Sequence, residues 1–344
     1  METSSVKRLL ILGNPTEHHV GAHLVAAARI LGLEVDILDL RKAWGENPWV
    51  NRFYFHLLKH RPSRLRQFDA SVLAACKTYQ PEVLLVTGIS PPSAHILRQI
   101  GSMGICRANF LTDDPWNAKN RAGYYWQSLR HYDVIFNPRR ANIADLEKSG
   151  CRRVVYLPFG YNPGIHFPDP PQTAAETARF GCDVAIVGGG DEDRIPIALA
   201  LARAGLKLHL YGGYWDQHNE LRPHWKGFVH GRELRMAVGG ATVNIGMVRQ
   251  ANRDGHAMRS LEFPAMGACL VAVDTPEHRE LFGKDGHSVE YYRDINEMLN
   301  KTKALCGQPE RARAMGRRAF SWICQENRHT YADRLRFIVN HAAS

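Results

Sequence analysis

The chain has 344 residues, of which 44% are hydrophobic and 23% charged, a composition typical of soluble globular proteins at a length that fits two domains. No apolar run reaches the roughly 18 residues of a membrane-spanning helix, and Leu9–Leu12 is too short for the apolar core of a secretion signal. The seven cysteines include no C-x-x-C pair, so the sequence favours neither a zinc site nor a disulfide framework, and we expect a cytoplasmic location.

The formal net charge of +10 is concentrated in two segments of the chain. Between Arg41 and Gln67 there are seven Lys/Arg and one acid, Glu46, interleaved with five aromatic residues. Between Glu310 and Arg336 there are seven arginines against three acids. Such charge favours anionic partners, namely nucleotide phosphates, anionic lipid headgroups or nucleic acid, without choosing among them.

Alternating strands and helices predict a parallel sheet in the first half of the chain. Short apolar runs predict strands over 7–12, 34–38, 82–87, 105–111, 133–136 and 153–157. Helical spacing predicts helices over 20–32, 65–79 and 139–149, with a further helix after 92. The aromatic and basic stretch between 39 and 64 shows no regular period and is interpreted as irregular.

The same alternation begins again after Pro158–Pro171, whose density of Pro and Gly predicts an interdomain linker. Strands are predicted over 182–187, 207–211, 241–245 and 269–273, and helices over 194–204, 232–238, 297–306, 309–323 and 330–341. We therefore expect an acceptor-binding domain over 1–165, a nucleotide-binding domain over 166–325, and a helix over 326–344 that packs back on the first domain.

Two Rossmann-like halves leave loops at the carboxyl ends of their strands, where open α/β sheets bind ligands. The loops in question are 13–19, 88–92, 112–116, 188–194 and 246–262. The predicted fold class is α/β, with two Rossmann-like domains whose parallel sheets face a central cleft and with helices at the C-terminus.

The stretch from Asp254 to Ala268 is the most informative of these loops. A Gly-containing turn leads to Arg259, Ser260 and Leu261 at a predicted helix start, and Glu262 follows eight positions after Asp254. Free N–H groups at a helix start attract phosphate, and a carboxylate one turn further on can bind a ribose diol. Alternatively, Glu262 has no ligand and is an ordinary acidic residue near a helix N-terminus, where the helix dipole favours negative charge.

The chain resembles the spore-maturation-type glycosyltransferases, relatives of the group-1 glycosyltransferases with the GT-B fold, from about Asn51 onward. The resemblance is carried by Arg259–Gly267, Glu280–Phe282, Gly286-His287, Asn296–Met298, His329–Tyr331 with Arg334, Ile186–Gly188, Leu210–Gly212 and, more loosely, Thr112–Pro115 and Leu157–Gly160. It implies a GT-B fold and a nucleoside diphosphate sugar as donor. In group-1 transferases two glutamates lie eight positions apart, one at the donor sugar and one at the ribose. Glu262 matches the second, whereas Asp254 replaces the first with a side chain shorter by one methylene.

Other residues of the second half suit the phosphates of such a donor. Gly188 and Gly189 allow close approach of backbone to phosphate, and Asp193 at the third glycine position of a dinucleotide fingerprint disfavours NAD. Arg194 and Arg259 are predicted to neutralise the diphosphate, or else to be surface arginines of helix starts.

Three residues of the first half are candidates for acceptor chemistry. Asp113 and Asp114 follow a predicted strand and could bind a divalent metal, accept hydrogen bonds from sugar hydroxyls or deprotonate an acceptor hydroxyl, with an N-cap role as the alternative for Asp114. His18 is a candidate base in the loop after the first strand, and an exposed loop histidine otherwise. We predict no metal site, as the resemblance implies.

The sequence thus predicts transfer of a hexose-type unit from a UDP-, GDP- or dTDP-sugar to a carbohydrate or lipid-linked acceptor hydroxyl, with no tightly bound cofactor. Cell-surface polysaccharide, glycolipid or glycoconjugate synthesis would be the setting. A nucleotide-sugar epimerase and a non-catalytic basic protein that binds nucleic acid or anionic membrane are the alternatives, with nucleic acid disfavoured. The basic aromatic stretch 41–67 leaves open a peripheral position on the inner face of the membrane.

Overall fold

The computed structural model describes residues 6–342, which form two compact units. Unit 1 contains the chain up to Pro158, the short segment Ala251–Arg253 and the chain from Tyr331 onward. Unit 2 contains Phe159–Gln250 and Asp254–Thr330. The chain passes from unit 1 to unit 2 after Pro158, whereas the sequence predicts the boundary at 165, and it returns to unit 1 at Tyr331.

Six parallel strands form the sheet of unit 1, in the spatial order β2-β1-β3-β4-β5-β6. They are β1 (Arg8–Gly13), β2 (Glu34–Asp39), β3 (Val83–Thr87), β4 (Cys106–Phe110), β5 (Val134–Asn137) and β6 (Val154–Tyr156). Leu9–Leu12 of β1 are fully buried. A parallel strand covered by helices on both faces is apolar along its whole length, which explains the unbroken apolar runs in the sequence.

The helices of unit 1 before Pro158 connect these strands. They are α1 (Val20–Ile30), α2 (Pro48–Leu57), α3 (Leu65–Tyr79), α4 (Ala94–Ser102), α5 (Gly123–Ser128) and α6 (Ile143–Lys148). Helix α2 lies inside the stretch that the sequence analysis interprets as irregular, and this interpretation is wrong. The Asn47 side chain accepts hydrogen bonds from the backbone N–H groups of Trp49 (2.9 Å) and Val50 (3.3 Å), and Pro48 occupies the first turn, so α2 has a regular helix start.

Five parallel strands form the sheet of unit 2, in the order β11-β10-β9-β7-β8. They are β7 (Cys182–Val187), β8 (Leu208–Tyr211), β9 (Ala241–Gly246), β10 (Leu270–Val273) and β11 (Glu290–Tyr292). The helices are α7 (Ala174–Phe180), α8 (Ile195–Arg203), α9 (Gly231–Gly239), α10 (Arg259–Ala265), α11 (Pro276–Phe282), α12 (Ile295–Cys306) and α13 (Pro309–Phe320), and α13 runs into a wider π-helical turn, Ser321–Glu326.

The last helix, α14 (Tyr331–Ala342), packs against α1 in unit 1. The rings of His23 on α1 and Tyr331 on α14 stack with their centroids 4.9 Å apart. The Arg153 guanidinium donates to the backbone carbonyl of His341, which ties the end of α14 to the start of β6.

The predicted linker Pro158–Pro171 is instead a folded part of unit 2 from Phe159 onward. Phe159, Tyr161 and His166 are buried, and the Tyr161 N–H donates to the carbonyl of His329 (3.0 Å). The prolines and glycines of this segment therefore belong to a packed loop, because the apolar side chains of Phe159 and Tyr161 are buried. No helix within residues 6–342 is both long enough and apolar enough to cross a membrane.

Candidate functional site

In each unit the loops that follow the strands lie at one edge of the sheet, because all the strands of a sheet run parallel. This edge is where open α/β sheets bind ligands. In unit 2 the relevant loops are 188–194 after β7 and, after β9, residues 247–250 and 254–258. In unit 1 they are 88–93 after β3 and 111–116 after β4.

The glycine loop after β7 packs closely against Trp215. The indole Nε1 donates to the carbonyl of Gly188 (2.8 Å), and the Gly190 N–H donates to the carbonyl of Gly213 (2.9 Å). A Cβ at Gly190 would lie 2.8 Å from the indole ring, closer than side chains approach. Gly190 is therefore required by packing, while phosphate binding at Gly188 and Gly189 stays a prediction.

Arg194 folds back onto the loop that precedes it. Its Nη1 donates to the carbonyl of Gly189 (2.9 Å) and to Asp191 Oδ2 (3.0 Å). Burial lowers the pKa of Arg194 from its ordinary value, and the charges of Arg249 and Arg259 lower it further. A guanidinium with so high an ordinary pKa stays charged despite the shift.

Three arginine charges therefore meet at this edge of the unit 2 sheet. Arg249 Nε lies 3.4 Å from the Asp191 carboxylate, and its side chain is 53% exposed. Arg249 and Arg259 come from the loop and helix that follow β9, whereas Arg194 follows β7, so two adjacent strands supply the cluster. Grouped guanidinium groups of this kind are suited to phosphate oxygens.

Glu262 lies inside α10 with only 1% of its surface exposed. Its carboxylate accepts a hydrogen bond from Arg259 Nη1, and His166 Nε2 lies 3.7 Å from its Oε1. His166 Nδ1 accepts from the Asn162 N–H (3.1 Å), so the neutral ring carries its proton on Nε2 and directs it towards Glu262. The carboxylate is thus bonded to Arg259 and lies beside the His166 ring.

The structure corrects one prediction for Ser260 and Leu261. Their backbone N–H groups donate to the carbonyls of Ala257 and Met258, at 3.0 Å each. The turn before α10 therefore uses the amides that the sequence analysis leaves free for phosphate. Leu261 is fully buried, so its contribution to the site is packing.

The first turn of α11 holds the segment that leads into α10. Thr275 Oγ1 donates to the carbonyl of Gly255 (2.5 Å), and the Glu277 carboxyl packs so closely on Gly255 that a Cβ there would meet it at 2.0 Å. The Ser260 hydroxyl lies 2.7 Å from His278 Nε2, and His278 Nδ1 lies 2.7 Å from the carbonyl of Val273.

The protonation state of His278 follows from these contacts. A carbonyl only accepts, so Nδ1 carries the proton and Nε2 accepts from the Ser260 hydroxyl. Burial lowers the pKa of His278 to about 4, so the ring is neutral near pH 7. His278 therefore fixes the first residues of α10 without adding charge to the site.

Asp254 begins this segment and is half-buried. Its backbone N–H donates to the carbonyl of Arg249 (3.2 Å). This hydrogen bond closes a turn and brings the backbone of Asp254 next to that of Arg249, one of the three clustered arginines. A role for its side chain at the donor sugar stays a prediction.

In unit 1, Asp113 and Asp114 are in different environments. Asp113 is half-buried, accepts from the Thr112 hydroxyl (3.2 Å) and lies beside Gly88. Asp114 is 1% exposed: Oδ1 accepts from the Trp116 N–H (2.8 Å) and Oδ2 from Arg253 Nε (2.7 Å). These bonds favour the capping interpretation for Asp114 and leave Asp113 as the more accessible candidate.

His18 is exposed, and its ring lies 4.6 Å from that of His19. Partial burial, the neighbouring His18 and Arg41 all lower the pKa of His19. The role of His18 as a base stays a prediction. Within residues 6–342, no three or more His, Cys, Asp or Glu side chains form a group that could hold a metal ion.

Residues 194–340 match the model of a protein family described as glycosyl transferase-like. The matched part contains Arg194, Arg249, Arg259 and Glu262, and it ends within α14. No curated protein matches the sequence significantly.

Solved structures resemble the chain over almost its whole length. Sucrose-phosphate synthase from Thermosynechococcus elongatus has a TM-score of 0.70 at 15% identity, over 98% of this chain and 100% of that chain. A UDP-forming α,α-trehalose-phosphate synthase from Burkholderia xenovorans has a TM-score of 0.61 at 10% identity, over 98% and 100%. A putative UDP-N-acetylglucosamine 2-epimerase from Listeria monocytogenes has a TM-score of 0.55 at 10% identity, over 97% and 95%. The predicted GT-B-like fold with Rossmann-like parallel sheets is confirmed.

The sequence analysis missed four residues that shape this site: His166, Arg249, Glu277 and His278. Arg249 lies within the predicted loop 246–262, so its charge was a usable signal. His166 lies 96 positions before Glu262 in a segment interpreted as a linker, and His278 lies 18 positions after Ser260. Such pairs have no fixed spacing in sequence, and only the fold brings them together.

Proposed function

We propose that the chain is a glycosyltransferase that moves a sugar from a nucleoside diphosphate donor to an acceptor hydroxyl. One observation carries the proposal: Arg194, Arg249 and Arg259 meet at the ligand-binding edge of a sheet, in the part of the chain that matches a glycosyl transferase-like family. The donor diphosphate carries the opposite charge, and the cluster would bind it and stabilise the charge that develops as it leaves.

Glu262 and Arg259 would exchange partners when the donor binds. Arg259 is 32% exposed at its side chain while Glu262 is buried, so the arginine is the partner free to turn towards a phosphate. Glu262 would then accept hydrogen bonds from the ribose hydroxyls, with His166 holding its other oxygen. A charged acceptor in a buried site forms the stronger class of hydrogen bond.

The reaction breaks the bond between the anomeric carbon and the diphosphate oxygen and forms a bond to the acceptor oxygen. The acceptor proton passes to a base, for which Asp113 and His18 are the candidates in unit 1. The electron pair of the broken bond stays with the diphosphate, where the arginines neutralise it. Asp254 would contact the donor sugar.

The finer assignments belong to the same proposal. We propose a hexose-type sugar, a UDP-, GDP- or dTDP-linked donor with no tightly bound cofactor, and a carbohydrate or lipid-linked acceptor in cell-surface polysaccharide, glycolipid or glycoconjugate synthesis. The similar trehalose-phosphate synthase is named as UDP-forming, which makes UDP the first nucleotide to test.

The test is a thermal-shift screen with UDP, GDP and dTDP, followed by donor hydrolysis and Kd measurement. A ligand that binds only the folded state raises the midpoint of unfolding. We expect one nucleotide to stabilise the chain, and Glu262→Gln, which keeps the shape of the side chain, to weaken its binding by about 10- to 100-fold.

Glu310→Gln is the matched control, because Glu310 is a glutamate of unit 2 with an 84% exposed side chain. Its nucleotide affinity should equal that of the wild type. The proposal fails if none of the three nucleotides shifts the midpoint, or if a folded Glu262→Gln protein binds the nucleotide as tightly as Glu310→Gln does.

An epimerase is the second candidate, because a putative nucleotide-sugar epimerase shares the fold. Incubation with the donor alone distinguishes the two activities. An epimerase converts the sugar while it stays attached to the nucleotide, whereas a transferase releases the nucleoside diphosphate when acceptor or water takes the sugar.

A further inference from the structure

Helix α2 places large apolar side chains in solvent. None of its ten residues is buried, and the exposed fractions are 78% for Trp49, 53% for Phe53 and 68% for Leu57. A surface helix ordinarily turns its apolar side chains towards the core of its own domain. Contiguous exposed apolar side chains mark interaction surfaces.

These side chains share one face of the helix. Trp49, Phe53 and Leu57 follow one another at intervals of four residues, so they lie above one another along the helix surface. Val50, which is 43% exposed, lies at the edge of the same face. Together they form an apolar stripe about 12 Å long on a helix of ten residues.

The opposite face of α2 is held to unit 1 mainly by polar contacts. Asn51 Nδ2 donates to the carbonyl of Gly45 (2.6 Å), and the Ser63 hydroxyl donates to Asn51 Oδ1 (2.6 Å). Phe55 adds a ring contact with Trp44, at 6.4 Å between centroids. These contacts fix the helix with its apolar stripe turned outward.

Cations are frequent in the sequence on both sides of α2, and Arg52 lies within the helix. The segment Arg41–Gln67 contains seven Lys/Arg against Glu46 alone, and one of the seven, Arg41, is paired with Asp39 (2.7 Å). Arg52 within α2 and Arg66 on α3 are both exposed. An apolar helix face bordered by arginine and lysine is complementary to a surface that is apolar within and anionic at its boundary.

We propose that α2 and its basic flanks, the α2 surface, dock on an anionic lipid bilayer. Trp49, Phe53 and Leu57 enter the boundary between headgroups and acyl chains, and the Lys and Arg side chains contact lipid phosphates. The charge selects the bilayer over a second copy of the chain, because two copies would bring two basic surfaces together. The proposal is independent of the transferase activity, since none of these residues belongs to the candidate site.

Flotation with lipid vesicles tests the α2 surface directly. The full chain, without donor, is mixed with vesicles of phosphatidylcholine alone or with added phosphatidylglycerol. We expect it to float with the mixed vesicles, to stay behind with the neutral ones, and to lose binding as salt is raised, because salt screens the attraction.

Two sets of variants separate the apolar and the charged contributions. The triple variant Trp49→Ala, Phe53→Ala, Leu57→Ala should lower the partition coefficient by at least about a hundredfold. The double variant Arg52→Gln, Arg66→Gln should lower it on the order of twentyfold. Matched controls in unit 2 are Phe228→Ala, at a side chain 63% exposed, and the pair Lys303→Gln, Arg317→Gln, at exposed residues; both should bind as the wild type does.

Three results would overturn the proposal. The first is equal flotation with neutral and anionic vesicles, or flotation with neither. The second is unchanged binding of the triple variant. The third is self-association of the wild type in solution that the triple variant abolishes, which would make a second copy the occupant. The midpoint of thermal unfolding without nucleotide serves as the folding check on every variant. Absence of a nucleotide-induced shift in the wild type would count against the proposed function alone.

Discussion

His278 lies between Val273 and Ser260 and joins β10 to the start of α10 through one neutral ring. Protonation would give Nε2 a hydrogen and remove its acceptor for the Ser260 hydroxyl, while placing a charge in the core. These contacts therefore favour the neutral form of His278 in the folded chain. The positions of Arg259 and Glu262 depend on that state, because both belong to α10 and Ser260 lies in its first turn.

The pKa of His278 gives a testable pH dependence of stability. Burial lowers it from the ordinary 6.5 to about 4, so between these values the unfolded chain binds a proton that the folded chain does not. The contribution to the free energy of unfolding is complete above pH 6.5 and is lost as the pH falls towards 4, by up to about 3 kcal/mol over the window.

Thermal unfolding of wild type and His278→Asn at pH 7 and pH 4.5 measures this contribution. The variant has no group to titrate at this position, so its midpoint should fall less between the two pH values than that of the wild type. His218→Asn, at a half-buried histidine elsewhere in unit 2, should keep the wild-type difference. Equal pH dependence in His278→Asn and wild type would contradict the assignment.

At the scale of elements, the loop after β7 shows that a glycine run can have several causes. Gly190 meets the Trp215 ring, and Gly188 has φ +150°, a backbone conformation that side chains disfavour. At Gly189, by contrast, an added Cβ would make ordinary contacts of 3.4 Å. A side chain is therefore disfavoured at Gly188 and Gly190 and acceptable at Gly189, although the three glycines are adjacent in the sequence.

Gly190→Ala and Gly189→Ala form a matched pair of variants. Alanine at 190 forces the indole away from the loop, and we expect the midpoint of unfolding of unit 2 to fall by about 3–10 °C, with a changed near-ultraviolet signal from Trp215. Alanine at 189 should leave the midpoint within about 2 °C of the wild type. A Gly190→Ala protein as stable as Gly189→Ala would show that the loop relaxes around the ring.

Helix α2 illustrates why an element escapes prediction. Asn47 and Pro48 are a helix start signal, and Trp49, Phe53 and Leu57 follow at intervals of four residues. Phe55 lies off the face that these three share and contacts Trp44, so apolar residues occur on more than one side of this short helix. A helical period is hard to recognise in so short a segment when its apolar residues are not confined to one face.

For the whole molecule, the sequence predicted ten of the eleven strands within residues 6–342, because apolar runs leave local traces, and it missed the short β11 (Glu290–Tyr292). The GT-B-like fold was implied by the family resemblance. β7 is predicted with its observed bounds, Cys182–Val187, and α3 with its bounds, Leu65–Tyr79. The partners of Glu262 and Asp114 were not predicted. Arg253 follows Asp114 by 139 positions, and no local pattern links two residues so far apart.

The Asp114–Arg253 pair explains why Ala251–Arg253 belongs to unit 1 although the residues on either side belong to unit 2. Arg253 donates to both oxygens of Asp114, and its Nη1 donates to Asp145 Oδ2 (2.7 Å). The hydrogen bond to Asp114 and that to Asp145 both raise the pKa of Arg253 despite partial burial. The Arg253 side chain is 37% exposed, whereas that of Asp114 is buried. If the pair were broken, Arg253 could be hydrated by solvent but the Asp114 carboxylate could not.

Removal of this charge should therefore destabilise unit 1. We expect Asp114→Asn to lower its free energy of unfolding by about 2–3 kcal/mol, because the amide leaves the arginine without its charged acceptor. Asp113→Asn, at the neighbouring half-buried carboxylate, should change it by less than about 0.5 kcal/mol. Urea unfolding of the two variants compares them directly. If Asp113→Asn were the more destabilising, the roles assigned to the two aspartates would be reversed, and Asp114 would return as the candidate base.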